Sequence, residues 1–330
     1  MIEESVWQQA LALLRASRQV VVTSHVNLDG DAIGSELALA ELLSQMGKRV
    51  HVLNDGAVPP VYLFLDAYGR AERYQESLHH HLLEEADLAV ILDISDWARL
   101  GEVGSVLRQC QAKRLCIDHH IVTDQLAEVM LVDETASCTG ELVFELAKRL
   151  RVPLRGHLAA ALYTCVLTDT GGFRFSNTSP QAHRMAAELL ENGVPFLDIY
   201  ERIYEQNSPA RLCLLAEAIK DLHFENGGRI AWFRVTQKML RHCRASYWET
   251  ENLAEMPRAI QGVEVAIMFT ETPDGHVKMS LRSKGRVVVH HLASKFGGGG
   301  HPYAAGARLQ GKMEQVVPQV LSEARALFGY

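Results

Sequence analysis

Polar side chains that can bind divalent cations follow several apolar runs of this sequence. The stretch SHVNLDGDAIGS, at residues 24–35, places one imidazole and two carboxylates between an apolar run and the start of a helix. Two later runs, ADLAVILDIS and KRLCIDHH, end in the same residue types. The side chains concerned are His25, Asp29, Asp31, Asp93, Asp118, His119 and His120. Any one of them could be an ordinary surface group, but their recurrence at successive run ends indicates a shared site.

A further carboxylate, Asp169, stands near the end of a predicted apolar helix over 157–168 that breaks at Gly171 and Gly172. An acid is disfavoured at the negative end of a helix dipole, and a bound cation would compensate it. The alternative interpretation is that Asp169 only begins a solvated turn.

The chemistry of these donors favours a two-metal site. Carboxylates and imidazoles without thiolates suit Mn²⁺, with Mg²⁺ or Co²⁺ as substitutes. The same donors are also compatible with Zn²⁺ and Fe²⁺. Four acids and two imidazoles exceed what one catalytic ion with open positions can take, and they suit two ions that share a carboxylate. Ion pairs of this kind, roughly 3.5–4 Å apart, activate water and stabilise an in-line phosphoryl displacement. The donors therefore predict hydrolysis of a phosphate ester or anhydride.

The elements that must position these side chains alternate strand and helix patterns in the first half of the chain. Strands are predicted at RQVVVTSHV, KRVHVLND, ADLAVILDIS and KRLCIDHH, and DAIGSELALAELLSQMG predicts an amphipathic helix that ends at Gly47. This alternation is typical of an α/β domain with a parallel sheet and helices on both faces. Because ligands bind at the carboxyl ends of such strands, three strand ends should converge on one edge.

The second half predicts a smaller α/β domain. The strands GRIAWFRVT, VEVAIMFTET and HVKMSLRSK follow one another, with a hairpin at Asp274 and Gly275. Helical segments punctuated by proline precede them. We expect one domain over 1–185, a helical linker over 186–212 and a second domain over 213–330.

Composition excludes several classes of function. The chain of 330 residues is 48% hydrophobic and 22% charged, as in an ordinary globular protein, and its formal charge of −7 argues against binding of long nucleic acid. Small phosphorylated ligands stay compatible, since a local cluster can hold them. No signal peptide or membrane span is evident, so we expect a cytoplasmic protein. The six scattered cysteines are expected to be reduced and are assigned no chemistry.

Five ordered motifs resemble the DHH phosphoesterase superfamily, named for the triplet at Asp118. They are HVNLDGDAIGS, LDISD, IDHH, TDTGGFRFSNT and, near the C-terminus, GGGGHPYAAGA, which is similar to the signature of the DHH-associated domain. The combination resembles the branch of short-oligoribonucleotide hydrolases and pAp phosphatases. One departure is Leu28, where the family commonly has proline. The resemblance implies a catalytic first domain, a substrate-binding second domain and an active site in the cleft between them.

The resemblance also implies a division of the ligands between two manganese ions. His25, Asp29 and Asp93 would bind one ion. Asp93 would bridge to the second ion, whose remaining ligands would be Asp31, His119 and Asp169. His120 would face the scissile phosphate as a stabiliser or proton donor, and Asp118 would orient an imidazole.

Substrate contacts are expected from loops of both domains. In the second domain, consecutive glycine amides and an imidazole could cradle an anion beside an arginine, and the alternative for the glycines alone is a flexible loop that enters a helix at HPYAAGA. In the first domain, the motif GGFRFSNT offers cationic and amide groups, while its two phenylalanines are more typical of a core than of a base-stacking surface. The expected substrate-binding residues are Arg99, Arg174, Asn177, Arg282, Gly298, Gly299, Gly300 and His301.

The leading hypothesis is a manganese-dependent phosphodiesterase that cleaves short RNA or dinucleotides such as pApA and pGpG to mononucleotides, with a pAp 3′-phosphatase activity. An inorganic pyrophosphatase or exopolyphosphatase is a second hypothesis, because the same chemistry cleaves anhydrides. A nucleotide-sensing module without catalysis is a third. The oligomeric state stays open, with a homodimer as one option.

Overall fold

The computed structural model describes residues 2–94 and 96–328. The chain divides into two compact units, Met1–Glu205 and Gln206–Tyr330. The segment 186–212, which we expected to connect two domains, is shared between them. Ile199 packs into the core of the first unit, whereas Leu214, just after the segment, packs into a core of the second.

The first unit is a parallel α/β fold. Its strands are β1 (Gln19–Thr23), β2 (Arg49–Asn54), β3 (Ala71–Arg73), β4 (Leu88–Leu92), β5 (Lys113–Asp118) and β6 (Val129–Val132). Its helices are α1 (Glu4–Ala16), α2 (Gly30–Gln45), α3 (Glu76–Glu84), α4 (Gly101–Leu107), α5 (Thr139–Leu150), α6 (Gly156–Asp169), α7 (Pro180–Glu191) and α8 (Phe196–Tyr204). The predicted fold class is confirmed.

The strand order is β3-β2-β1-β4-β5-β6, and every pairing is parallel. All five residues of β4 are buried, as expected for a central strand covered on both faces. Two hydrophobic cores flank the sheet, one containing Ile33 of α2 and Phe144 of α5, the other Leu83 of α3 and Val103 of α4. The chain order reverses between β1 and β4, which is where sheets of this kind bind ligands.

Close packing of α2 against α6 brings two distant acids together. A Cβ at Gly30 would lie 2.4 Å from Thr168 Oγ1, and one at Gly34 would lie 2.6 Å from Cys165 Sγ. Only glycine therefore fits at either position. The N-terminus of α2, with Asp31, lies beside the C-terminus of α6, with Asp169, as a result.

The second unit is built on a mixed sheet. Its strands are β7 (His223–Glu225), β8 (Ile230–Val235), β9 (Val265–Glu271), β10 (Val277–Ser283), β11 (Gly299–His301) and β12 (Ala304–Leu309), and its helices are α9 (Pro209–Lys220), α10 (Gln237–Cys243), α11 (His290–Lys295) and α12 (Met313–Ala326). The order is β11-β12-β10-β9-β8-β7, with β8 and β9 parallel and the other pairs antiparallel. The predicted hairpin joins β9 to β10 and turns at Gly275, whose φ is 82°.

The expectation of six reduced cysteines is wrong for one pair. Cys213 of α9 and Cys243 of α10 form a disulfide across 30 residues of sequence, while the other four cysteines are thiols. The pairing depends on how α9 packs against α10, which cysteine spacing does not reveal. In the described part of the chain, every helix is too short or too polar to span a bilayer.

Candidate metal centre

Three neighbouring strands of the first unit end in the predicted metal-binding residues. His25 follows β1, Asp93 follows β4, and β5 ends at Asp118, directly before His119. Because β1, β4 and β5 are adjacent and parallel, these side chains meet at one edge of the sheet. The prediction of convergence from the strand ends is confirmed.

Asp93 lies at the centre of this edge, and its two carboxylate oxygens face different histidines. Asp93 Oδ2 is 3.4 Å from His25 Nε2, while Asp93 Oδ1 is 3.6 Å from His119 Nε2. The residue is 2% exposed and adopts a left-handed backbone conformation with φ 59°. Non-glycine residues seldom adopt such conformations outside sites where the surrounding structure holds them.

The first cluster contains His25, Asp29 and Asp93, whose potential ligand atoms lie within 4.8 Å of one another. Asp29 caps α2, because its Oδ1 accepts hydrogen bonds from the backbone N–H groups of Asp31 and Ala32. Its other oxygen, Oδ2, is 3.9 Å from His25 Nε2. The cap therefore holds one oxygen of Asp29 and turns the other toward His25.

The second cluster contains Asp31, Asp93 and His119, again within 4.8 Å. Asp169 joins it, with Oδ2 3.7 Å from His119 Nε2. The ring of His119 is held from behind by a contact of 3.2 Å between its Nδ1 and the carbonyl oxygen of Ala136. That contact favours the tautomer with Nδ1 protonated, which leaves the lone pair of Nε2 directed at the carboxylates.

Asp118 and His120 form a third contact at the same edge. Asp118 Oδ1 is 2.7 Å from His120 Nδ1 and accepts hydrogen bonds from the backbone N–H groups of His119 and His120. Asp93, Asp118 and His120 also bring potential ligand atoms within 4.8 Å. The three hydrogen bonds that converge on Asp118 Oδ1 are typical of an orienting group.

Two further residues of the site, Thr139 and Gly140, begin α5 and were not predicted from the sequence. Their backbone N–H groups donate to Asp31 Oδ2 at 2.6 Å and to Asp31 Oδ1 at 3.0 Å, respectively. The Thr139 hydroxyl donates to Asp93 Oδ1 at 2.8 Å. The available signal was the segment SCTGEL, a helix start whose N–H groups attract a carboxylate.

The protonation of the site reflects its burial. Burial raises the pKa of Asp93 well above its usual range, and the neighbouring Asp31 and Asp29 raise it further. Burial also raises the pKa of Asp169 to about 8, against the opposing effect of His119. For His25, burial lowers the pKa to about 4, so its ring is neutral at pH 7. Burial lowers the pKa of His119 as well, but Asp169 and Asp31 outweigh it and the net shift is upward.

These residues fit divalent cations. The donors are carboxylate oxygens and imidazole nitrogens, which suit Mn²⁺ and related ions. Ligand atoms around an octahedral ion at about 2.1 Å lie about 3 Å apart, so the nearest separations of 3.4–3.9 Å within the clusters need a contraction of less than about 1 Å. Carboxylates whose pKa values are raised by burial and, further, by their mutual repulsion are also the groups that a cation would stabilise most.

Two of the predicted substrate residues of the first unit, Arg99 and Asn177, lie close to this edge. Arg99 is near enough for its charge to depress the pKa of His25. The Asn177 side-chain amide donates to Asp169 Oδ2 at 3.1 Å and to the carbonyl oxygen of Ser137 at 2.9 Å, so it holds a carboxylate in place. The exposed Arg174 stacks its guanidinium on the ring of Phe175, 5.2 Å from the centroid.

In the second unit, Arg282 on β10 pairs with Glu255 at 2.6 Å, and Arg258 pairs with the other oxygen of the same carboxylate. Glu255 therefore fixes the Arg282 side chain. We expected a phosphate contact from Arg282 and had not anticipated this acidic partner.

The glycine run of the second unit is not a flexible loop, because Gly299–His301 form strand β11 against β12. A Cβ at Gly298 would lie 2.1 Å from the carbonyl oxygen of Gly306, and Gly300 has φ 130° with a Cβ position 2.6 Å from the carbonyl oxygen of Ala304. Both positions therefore require glycine for the fold. A Cβ at Gly299 would meet nothing within 4 Å. The fold therefore does not explain why residue 299 is a glycine.

Comparison with known proteins matches each unit to a family domain. Residues 19–168 match the DHH family, N-terminal domain, and residues 240–329 match the DHHA1 domain. A protein of Thermus thermophilus named bifunctional oligoribonuclease and PAP phosphatase NrnA is 32% identical over 310 residues, covering 93% of this chain and 89% of that protein. The resemblance predicted from five motifs is confirmed.

Solved structures agree with the fold. An exopolyphosphatase-related protein from Bacteroides fragilis has a TM-score of 0.93 at 27% identity, covering 100% of this chain and 99% of that one. RecJ from Thermus thermophilus, in complex with Mn²⁺, has a TM-score of 0.54 at 14% identity, covering 97% of this chain and 54% of that one. The second likeness shows a shared fold alone.

Proposed function

Because the chain belongs to the DHH family, we propose that it is a metal-dependent phosphodiesterase that hydrolyses short oligoribonucleotides and dinucleotides to mononucleotides. We include removal of the 3′-phosphate of pAp, since the similar protein of Thermus thermophilus is named for both activities. A cytoplasmic location stays a prediction from the sequence.

The observation that carries the proposal is the division of Asp93 between two clusters. Its Oδ2 faces His25 and its Oδ1 faces His119, so one carboxylate can serve two ions. We assign His25, Asp29 and Asp93 to one Mn²⁺ ion. Asp93, Asp31, His119 and Asp169 would hold the second ion. Mg²⁺ and Co²⁺ are expected substitutes, because they accept the same donors.

When bound, such an ion pair supplies a nucleophilic water of lowered pKa and neutralises charge on the phosphoryl group. The ligands themselves must be deprotonated to bind it. His25 is neutral at pH 7 already, whereas Asp93 and Asp169 lose their protons as the cations replace the charge compensation that the protons provide. Asn177 and Asp29 need no rearrangement, since hydrogen bonds hold them at the edge.

His120 is the proposed proton donor and phosphate stabiliser. Asp118 accepts a hydrogen bond from His120 Nδ1, which fixes the orientation of the ring. Proton transfer to the leaving oxygen then falls to Nε2, the other ring nitrogen. Asp118 acts through His120 and is a positioning residue in this assignment.

We assign substrate binding to the second unit and to the loops of the first. Gly299 allows the close approach of a ligand to the backbone, which its open Cβ direction supports. Arg282, fixed by Glu255, offers a charged contact to a phosphate group, and His301 ends the same short strand as Gly299. In the first unit, Arg99 and Arg174 are the side chains to which we assign charged contacts with the substrate. This gives a catalytic domain followed by a substrate-binding domain.

A substrate panel tests the proposal. The purified protein with Mn²⁺ is incubated with pApA, pGpG, a longer oligoribonucleotide, pAp, pyrophosphate and polyphosphate, and the products are separated by chromatography. We expect mononucleotides from the dinucleotides and AMP from pAp. Hydrolysis confined to pyrophosphate or polyphosphate would establish the anhydride alternative instead. Tight nucleotide binding without cleavage of any substrate would establish a sensing module.

A further inference from the structure

We propose that Thr139 is a positioning residue that fixes the rotation of the Asp93 carboxylate and thereby divides its oxygens between the two ions. The inference rests on the proposed two-ion function and adds a residue to it. Thr139 is not a ligand in this assignment, and it acts through Asp93 and Asp31.

Thr139 contacts two of the buried carboxylates of the site. Its hydroxyl donates to Asp93 Oδ1 at 2.8 Å, and its backbone N–H donates to Asp31 Oδ2 at 2.6 Å. The side chain is fully buried, so water does not compete for these hydrogen bonds. One residue therefore sets the relative placement of two acids that are 62 positions apart in the sequence.

The need for such a group follows from the freedom of an aspartate side chain. The backbone of Asp93 is held, since its N–H donates to the carbonyl oxygen of Ile117 at 3.0 Å. Rotation of the carboxylate about the Cβ–Cγ bond is different, because torsions of this kind have broad, shallow minima. Without a fixed donor the carboxylate could turn both oxygens toward one ion. The Thr139 hydroxyl selects the rotation in which Oδ1 lies on the His119 side.

Thr139 is itself held firmly. It begins α5, and the next residue, Gly140, has no room for a side chain, because a Cβ there would lie 2.4 Å from Cys165 Cβ. The N-terminus of α5 is thus packed directly against α6. A β-branched side chain at this position also has few rotamers, which makes the hydroxyl a well-defined donor.

The test compares Thr139→Val with Thr139→Ser. Valine has the shape of threonine and lacks the hydroxyl, whereas serine keeps it. For Thr139→Val we expect the affinity for the more weakly bound Mn²⁺ ion, and kcat on pApA, to fall about 10–100-fold, as is usual for outer-shell partners of metal ligands. Thr139→Ser should retain most of the Mn²⁺ affinity and most of the kcat on pApA. Thr164→Val, which removes a buried hydroxyl bonded to the Ala160 carbonyl oxygen within α6, is the matched control and should change neither.

Electron paramagnetic resonance of the Mn²⁺-loaded proteins gives a readout that does not depend on activity. Two ions joined by one carboxylate are magnetically coupled, which broadens the spectrum. We expect Thr139→Val to show the sharper hyperfine spectrum of isolated Mn²⁺ at the same metal content, and Thr139→Ser to keep the coupled spectrum. Circular dichroism of the metal-free proteins identifies any variant that fails to fold, and Thr139→Ala then replaces Thr139→Val in the comparison.

A folded Thr139→Val protein with wild-type Mn²⁺ affinities, coupling and turnover would overturn the inference. Equal losses in Thr139→Val and Thr139→Ser would overturn it as well, because the hydroxyl would then not be the active feature. Either result leaves the two-ion function intact as long as the wild-type protein binds two coupled ions and cleaves pApA. Failure of the wild-type protein to do so is a failure of the proposed function.

Discussion

Asp118 Oδ1 lies 2.7 Å from His120 Nδ1, and Asp118 is fully buried. A buried carboxylate at this distance accepts a hydrogen bond from the imidazole and fixes its orientation. The same oxygen accepts the backbone N–H groups of His119 and His120, so the DHH triplet folds around one acceptor atom. The relationship explains why an acid precedes the two histidines.

Asp118→Asn should lower kcat on pApA by about 10–100-fold while Mn²⁺ content stays unchanged, because the amide can keep the backbone hydrogen bonds but not the charge. A double-mutant cycle with His120→Ala checks the cause. If Asp118 acts through His120, adding Asp118→Asn to His120→Ala should cost little further activity. A full additional loss in the double variant would show that Asp118 has another role.

Glycine substitutions in β11 should separate folding from binding. Gly300→Ala should destabilise the protein, because φ 130° and the nearby Ala304 carbonyl oxygen exclude a side chain. Gly299→Ala should fold normally and raise KM for pApA about tenfold if the substrate backbone approaches Gly299 closely. Thermal unfolding and steady-state kinetics measure the two effects, with p-nitrophenyl phosphate as a small reference substrate. Unchanged KM for pApA in Gly299→Ala would refute the assignment of this glycine.

Glu36, a buried carboxyl of α2 away from the metal ligands, should make stability depend on pH. Burial raises its pKa to about 8, although the Asn54 amide donates to it at 2.8 Å. The unfolded chain releases this proton near pH 4.5, so between those values the unfolded state binds fewer protons and the free energy of unfolding falls as pH rises. The fall is roughly 3 kcal/mol between about pH 5 and pH 8.

Glu36→Gln should remove this part of the pH dependence and stabilise the protein at pH 8, since glutamine can accept the same hydrogen bond without a titrating proton. Urea unfolding of the metal-free protein at about pH 5 and at about pH 8 measures the free energy of unfolding under the two conditions. The exposed Glu191→Gln, at the end of α7, is the control and should behave as the wild type. If the free energy of unfolding of the Glu36→Gln protein falls with pH as steeply as that of the wild type, Glu36 is ionised in the folded state.

The sequence predicted those parts of the site that follow from the ends of regular strands. His25, Asp93 and His119 each come within two residues of the end of a buried strand, and a parallel sheet brings such positions together. Asp169 was predictable for a related reason, because an acid at a helix C-terminus requires a compensating charge.

The other contacts depend on how separate helices and strands pack against one another. The hydrophobic periodicity of the sequence predicts the helices and strands but not these contacts. Thr139 lies next to Asp93 because α5 packs against α6 at Gly140, a contact between elements that neighbouring residues do not predict. The pairing of Arg282 with Glu255 and the disulfide of Cys213 have the same origin. Local sequence gives the residue type in each case, but tertiary packing decides its partner.

A metal titration tests most directly whether two ions held around Asp93 hydrolyse short RNA. The protein is stripped with EDTA, metal removal is verified by elemental analysis, and pApA hydrolysis is followed as Mn²⁺ is returned. We predict no AMP from the metal-free protein and maximal turnover when two equivalents of Mn²⁺ are bound per chain, because each oxygen of Asp93 serves one ion. Full turnover by the verified metal-free protein, or maximal turnover at one bound equivalent, would contradict the account.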